Sequence, residues 1–167
     1  ALLSKEGYGV ITGGGPGIME AGNKGAKQGK GNSVGLHIEL DFEQDWNEFV
    51  DPDKLLIFRY FFARKVMFIR YAQAFIFMPG GFGTLDETFE TLTLIQTNKI
   101  DRVPLIFMGK EYWSGMMEWI EKTMLNEEHN IKKEDLKLFE ITDDPKRVVK
   151  IINSFYKKQT LKPNYRL

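Results

Sequence analysis

The sequence predicts an α/β protein with a Rossmann-like parallel sheet covered by helices on both faces. Three observations predict it. Short apolar runs alternate with longer helical patterns along the chain, an alternation that implies right-handed βαβ crossovers and a parallel sheet. Two glycine clusters, Gly13-Gly14-Gly15-Pro16-Gly17 and Pro79-Gly80-Gly81-Phe82-Gly83, each follow such a run and open a helical pattern. The run Ala74-Phe75-Ile76-Phe77-Met78 is continuously apolar, as a strand buried on both faces is.

The elements follow in order. The opening residues read as the last turns of a helix stopped at Gly7, so a further element is expected ahead of residue 1. Tyr8 to Thr12 is a strand, and from Ile18 to about Gln28 the residues suit a helix carrying the small Ala21, Gly22 and Gly25. Ser33 to Ile38 is the next strand, and Asp51-Pro52-Asp53 marks a turn. A long helix is expected from Leu55 to Tyr71, then the strand Ala74–Met78 and a helix from Thr84 to Thr97. The strand Val103–Phe107, the helix Tyr112–Asn126 and the short strand Leu138–Ile141 precede a closing helix from Asp144 to Tyr156, with Pro145 at its first position.

The 167 residues suit one nucleotide-binding domain spanning 1–167. Lys+Arg and Asp+Glu are equal at 23 each, so no bulk field draws the chain to nucleic acid or to an acidic membrane. A phosphate must then be held by a local site. There is no cysteine, which excludes disulfides and thiolate metal sites and suits a reducing compartment. No signal peptide and no membrane-spanning apolar stretch is present in the sequence given. A cytoplasmic protein is the expectation.

Both glycine loops fall where a parallel sheet binds ligands, after a strand and before a helix. Such a loop offers unpaired N–H groups and the positive end of a helix dipole. Gly80, Gly81 and Gly83 with the Thr84 hydroxyl are expected to hold one phosphate, and Gly13, Gly14, Gly15 and Gly17 to line the opposite wall. The plainer alternative is that both are only tight turns. The P-loop pattern is not met, because Gly25 to Gly29-Lys30 is one residue short, and G-x-G-x-x-G fails from either Gly13 or Gly15.

Glu87 has two readings. With Thr84 it matches a capping box, or it points into the cleft beside the phosphate and acts on a ribose or a water. Asp86 is the neighbouring acid. Arg64 and Lys65 interrupt an otherwise apolar helix bearing Phe58, Phe61, Phe62, Val66 and Phe68. Such a helix is buried or faces another subunit, and its charges must find anions or snorkel to water. His37 and His129 are isolated, so no metal site is expected.

Pro79-Gly80-Gly81-Phe82-Gly83-Thr84-Leu85-Asp86-Glu87 matches P-G-G-x-G-T-x-x-E, and here the chain resembles the LOG family of cytokinin riboside 5′-monophosphate phosphoribohydrolases, long misannotated as lysine decarboxylases. The resemblance runs from about Val10 to Phe107 and includes Arg64-Lys65 and Gly13-Gly14-Gly15-Pro16-Gly17-Ile18-Met19. It implies hydrolysis of the N-glycosidic bond of a nucleoside 5′-monophosphate, AMP or its N6-modified form, to free base and ribose 5-phosphate. It also implies that Arg64 and Glu87 are catalytic. Gly14, Gly15, Gly17, Met19, Lys65, Gly80, Gly81, Phe82, Gly83, Thr84, Leu85, Asp86 and Thr93 would bind the nucleotide. A homodimer or higher homo-oligomer is implied, with no metal or organic cofactor, no nucleic acid and no membrane partner. Relative to the family a first strand is missing, and Gly35 to Leu40 followed by Phe42-Glu43-Gln44 looks like the bacterial branch. Two alternatives stand beside this: a carrier of a nucleotide or pterin cofactor on the same fold, and a pyridoxal phosphate decarboxylase, for which Lys65 is the lysine nearest the loops.

Overall fold

A computed structural model describes residues 1–40, 46–157 and 161–164. The Phe42-Glu43-Gln44 segment read above as a mark of the bacterial branch lies outside the described residues. The chain divides into two units, 1–72 and 73–167.

The first unit runs α1 (Leu2–Lys5), β1 (Val10–Thr12), α2 (Ile18–Gln28), β2 (Ser33–Ile38), β3 (Leu55–Phe58) and α3 (Phe61–Tyr71). Its three strands lie in the order β1-β2-β3, all parallel, with Thr12 opposite Gly35 and Gly35 opposite Leu55. Gly7, with φ +89°, turns the chain out of α1, a conformation glycine adopts without strain. The central strand β2 is buried along nearly all its length. Gly35 is required by packing, since a side chain there would press on both Val50 methyls at 3.0 Å.

The Asp51 carboxylate joins three elements of this unit. It pairs with Lys27 at the end of α2, accepts from the Ser33 backbone N–H at 2.9 Å, and lies 3.5 Å from Lys54 Nζ in the 3₁₀ turn Pro52–Lys54. The Lys27 hydrogen bond, then the Ser33 N–H, hold its pKa down at about 2.

The second unit runs β4 (Phe75–Phe77), α4 (Phe82–Gln96), β5 (Leu105–Met108), α5 (Lys110–Trp119), β6 (Phe139–Thr142) and α6 (Pro145–Tyr156). Its strands lie in the order β4-β5-β6, again all parallel. Leu105, Ile106 and Phe107 of the central strand are fully buried. The Phe107 ring meets Phe77, Trp113 and Phe139 at centroid distances of 5.1, 5.0 and 5.3 Å, in tilted and edge-on arrangements that favour aromatic pairs. Asn98 takes a left-handed conformation (φ +56°) just past α4, and the Asp144 side chain caps α6 by accepting from Lys146 N at 2.9 Å.

Strands that alternate with helices and, among the described residues, pair in parallel make this the α/β, Rossmann-like fold the sequence predicts. Three elements differ from expectation. The expected helix Leu55–Tyr71 is a strand, Leu55–Phe58, followed by a helix that begins at Phe61. A four-residue apolar run has no period that separates strand from helix, and pairing with β2 decides for strand. The helix expected from Thr84 begins at Phe82 with Gly81 as its N-cap, so Thr84 is its third residue and forms no capping box. The helix expected from Tyr112 to Asn126 is α-helical only to Trp119 and continues as a π-helix over Ile120–Glu127.

Candidate functional site

The first glycine loop joins β1 to α2 within the first unit. Gly14 and Gly17 have φ of +76° and +68°, which only glycine adopts cheaply. Met19 lies over the loop: a side chain on Gly13 would meet Met19 Sδ at 2.8 Å, and one on Gly15 would meet Met19 Cε at 2.7 Å. Arg64 Nη1 is 3.6 Å from the space beside Gly13, so α3 delivers its guanidinium to this loop. The guanidinium also rests over the Phe61 and Phe68 rings, 5.3 and 5.8 Å from their centroids.

A buried amide network that sequence reasoning missed holds the loop in place. Asn23, fully buried, accepts from Thr12 Oγ1 at 2.6 Å and donates to Ser33 Oγ at 2.9 Å and to Val34 O at 3.3 Å. Asn47 Nδ2 donates to Gly14 O at 2.8 Å, to Gly15 O at 3.0 Å and to Asn23 Oδ1 at 3.0 Å, while its own backbone N–H reaches Gly14 O at 2.7 Å. Thr12 Oγ1 accepts from the Gly14 N–H at 2.9 Å. The carbonyls of Gly14 and Gly15 are thus turned inward.

The second glycine loop joins β4 to α4 within the second unit, and its glycines are not alike. A methyl group on Gly80 would collide with the Thr84 hydroxyl. Gly81 and Gly83 have open space where a side chain would stand, and neither has positive φ. Neither internal packing nor backbone conformation therefore requires glycine at 81 or 83. What remains is external: a bare backbone admits a ligand to its N–H groups. No side chain caps the start of α4, which leaves its first N–H groups for such a ligand. Phe82, between the two, is 91 % exposed.

Glu87 is half-buried one turn into α4, and Asp86 beside it is exposed. Thr93 lies further along the helix with its hydroxyl bonded to Phe89 O at 2.7 Å. Leu85 is half-buried and its N–H is given to Gly81 O at 3.1 Å. Lys65 is half-buried on α3. The apolar residues of α3 are only partly buried: Phe61, Phe62 and Val66 are exposed, Met67 and Phe68 half-buried, and Ile69 buried. The structure thus gathers Gly13 to Met19 with Arg64 in one unit, and Gly80 to Glu87 in the other. Among the described residues no group of His, Asp or Glu is arranged to hold a metal ion, and no helix is long and apolar enough to cross a membrane.

The comparisons with known proteins agree on a family. A family model described as "Possible lysine decarboxylase" matches residues 19–152. A cytokinin riboside 5′-monophosphate phosphoribohydrolase of Mycobacterium marinum is 26 % identical over 123 residues, which are 73 % of this chain and 65 % of that protein. An enzyme of the same name from Arabidopsis thaliana is 33 % identical over 61 residues, 36 % of this chain and 28 % of the plant protein. The matches therefore span about two thirds or less of these relatives. Among solved structures, the molybdenum cofactor binding protein from Rippkaea orientalis shares the fold at a TM-score of 0.66 and 21 % identity, covering 92 % of this chain and 81 % of that one. With four fifths of its length under the family model and relatives that are phosphoribohydrolases by name, the chain belongs to the LOG family, the group that carries the older lysine decarboxylase description.

Proposed function

We propose that this protein hydrolyses the N-glycosidic bond of a nucleoside 5′-monophosphate, AMP or an N6-modified AMP, releasing the free base and ribose 5-phosphate. The observation that carries the reading is the bare backbone at Gly81 and Gly83, at the uncapped start of α4, with Thr84 and Glu87 directly following. A phosphate there is met by N–H groups and the helix dipole. Binding energy from that remote group would then fix the ribose for reaction.

The bond between the base and C1′ breaks with positive charge building on the ribose ring, as in glycoside hydrolysis. In this reading Glu87 stabilises that charge and orients the attacking water, which gives its oxygen to C1′ and a proton to the departing base. Arg64 is the second catalytic residue, a fixed cation for an anionic or ribose oxygen. Lys65, Gly14, Gly15, Gly17, Met19, Gly80 to Asp86 and Thr93 bind the nucleotide. Homo-oligomer formation is part of the proposal, supported by the exposed Phe61, Phe62 and Val66 on α3. Sedimentation that finds only monomers at micromolar concentration removes that part.

Incubation with AMP and assay of adenine and ribose 5-phosphate tests the activity. Glu87→Gln is expected to lower turnover at least 100-fold. Equal turnover by the variant removes Glu87 from the chemistry. The rival reading is a carrier, favoured by the binding function in the name of the Rippkaea orientalis protein. Saturable AMP binding with no base released would decide for it.

A further inference from the structure

We propose that Tyr112 is a positioning residue for the second glycine loop: it fixes the Gly80–Gly81 peptide so that the Gly81 N–H is presented to the ligand's phosphate. The inference rests on the phosphate reading of that loop and adds to it the group that sets the loop's posture.

The Tyr112 hydroxyl donates to Gly80 O at 2.5 Å. Across a trans peptide the C=O and the following N–H point in opposite directions. A carbonyl tied to Tyr112 therefore aims the Gly81 N–H away from α5, and a side chain added at Gly81 would meet nothing within 4 Å, so the backbone here is open to approach. A peptide whose carbonyl accepts a hydrogen bond is also polarised into a better donor at its N–H. The phenol thus orients the donor and strengthens it.

The ring is half in water, with 51 % of Tyr112 exposed, so its stem must be held if the bond is to be durable. Three features of the turn into α5 hold it. Gly109, with φ +100°, turns the chain from β5 into α5 where a side chain would meet Pro79 Cγ at 3.0 Å. Asp143 Oδ1 accepts from the N–H groups of Gly109 and Lys110 at 3.1 and 2.8 Å. Trp113, buried, donates from Nε1 to Met108 O at 2.9 Å, and its ring lies 4.8 Å from that of Tyr112. The start of α5 is a fixed mount that carries the phenol to the loop across 32 residues of sequence. A carbonyl at the surface has water for a partner without any of this, so the mount is explained by orientation and not by satisfaction of Gly80 O.

The test titrates the full chain and its Tyr112→Phe variant with ribose 5-phosphate, by calorimetry and by the backbone amide resonance of Gly81. The variant keeps the ring and loses one hydrogen bond to the peptide. Its dissociation constant is expected to rise about 3- to 10-fold. The displacement of the Gly81 amide at saturation is expected to shrink, with the melting temperature held. Equal affinity and equal displacement in the two proteins overturn the role of Tyr112 and leave the phosphate reading intact. A wild-type chain that does not bind ribose 5-phosphate overturns the phosphate reading, and the role of Tyr112 with it.

Discussion

Asn47 holds Gly14 twice, through its backbone N–H at 2.7 Å and through its side-chain amide at 2.8 Å, over 33 residues of sequence. The same amide reaches Gly15 O and Asn23 Oδ1. A loop built of glycine has little conformational preference of its own, so its shape in the first unit is imposed from outside, by Asn47 together with Thr12.

Asn47→Ala would leave Gly15 O without its donor and take one of two donors from Gly14 O and from Asn23 Oδ1; one unmet buried polar group alone is worth about 1–3 kcal/mol. A loss of about 2 kcal/mol or more in urea unfolding is the expected outcome. Wild-type stability would mean that water takes over the amide's role and that the loop does not depend on Asn47.

At the second loop the glycines should separate by substitution. Gly83→Ala adds a methyl group inside a helix, into open space, and is expected to stabilise the fold by about 0.5–1 kcal/mol. Gly81→Ala should leave stability close to wild type, since φ is −90° and nothing stands nearby. Both should bind AMP at least 10-fold more weakly, because the new methyl group occupies the ligand's approach. Gly80→Ala, which crowds Thr84, should destabilise the fold itself. Thermal melts paired with AMP titrations check all three, and wild-type AMP affinity in Gly81→Ala would show that the ligand does not lie there.

Asp51 predicts an acid limb of stability. Its folded pKa is held at about 2, below the ordinary aspartate value of 3.8, so the folded state binds its proton less readily than the unfolded one. The contribution is complete above the unfolded value and is lost as pH falls from about 4 towards 2. Because Lys27 is partly exposed, screening reduces it to about 1–2 kcal/mol. Asp51→Asn should cost that much at neutral pH and progressively less in acid, as read from urea midpoints across pH. A constant difference at all pH values would show that the carboxylate's charge is not what stabilises the unit.

Much of the fold was legible in the sequence where local chemistry and tertiary demand agree. The helix Ile18–Gln28 and the strand Ser33–Ile38 have the bounds their glycine punctuation and apolar pattern suggest, and Asp144-Pro145 marks the start of α6 as read. Legibility failed where a distant partner decides. Leu55–Phe58 runs almost directly into Phe61–Tyr71, and only pairing with β2 makes it a strand. Thr84-x-x-Glu87 is a good local cap, yet the chain enters the helix earlier, at Gly81. The glycine loops themselves were plain. Asn47 and Tyr112 were not, since nothing local to residue 47 or 112 announces that folding carries it to residue 14 or 80.

The thioether over the first loop has a consequence for how quickly that loop can be reached. The nearest cover over Gly13 and Gly15 is the far end of one Met19 side chain, at Sδ and Cε, with Arg64 Nη1 and Leu36 O further off beside Gly13. An unbranched thioether has three rotatable bonds and repacks readily, and rotamer changes of partly exposed side chains take picoseconds to nanoseconds. Uncovering these glycines needs no excursion of the main chain, whose loop motions are slower. Arrival of a ligand at this wall would be limited by diffusion, with the door opening far faster than visitors come.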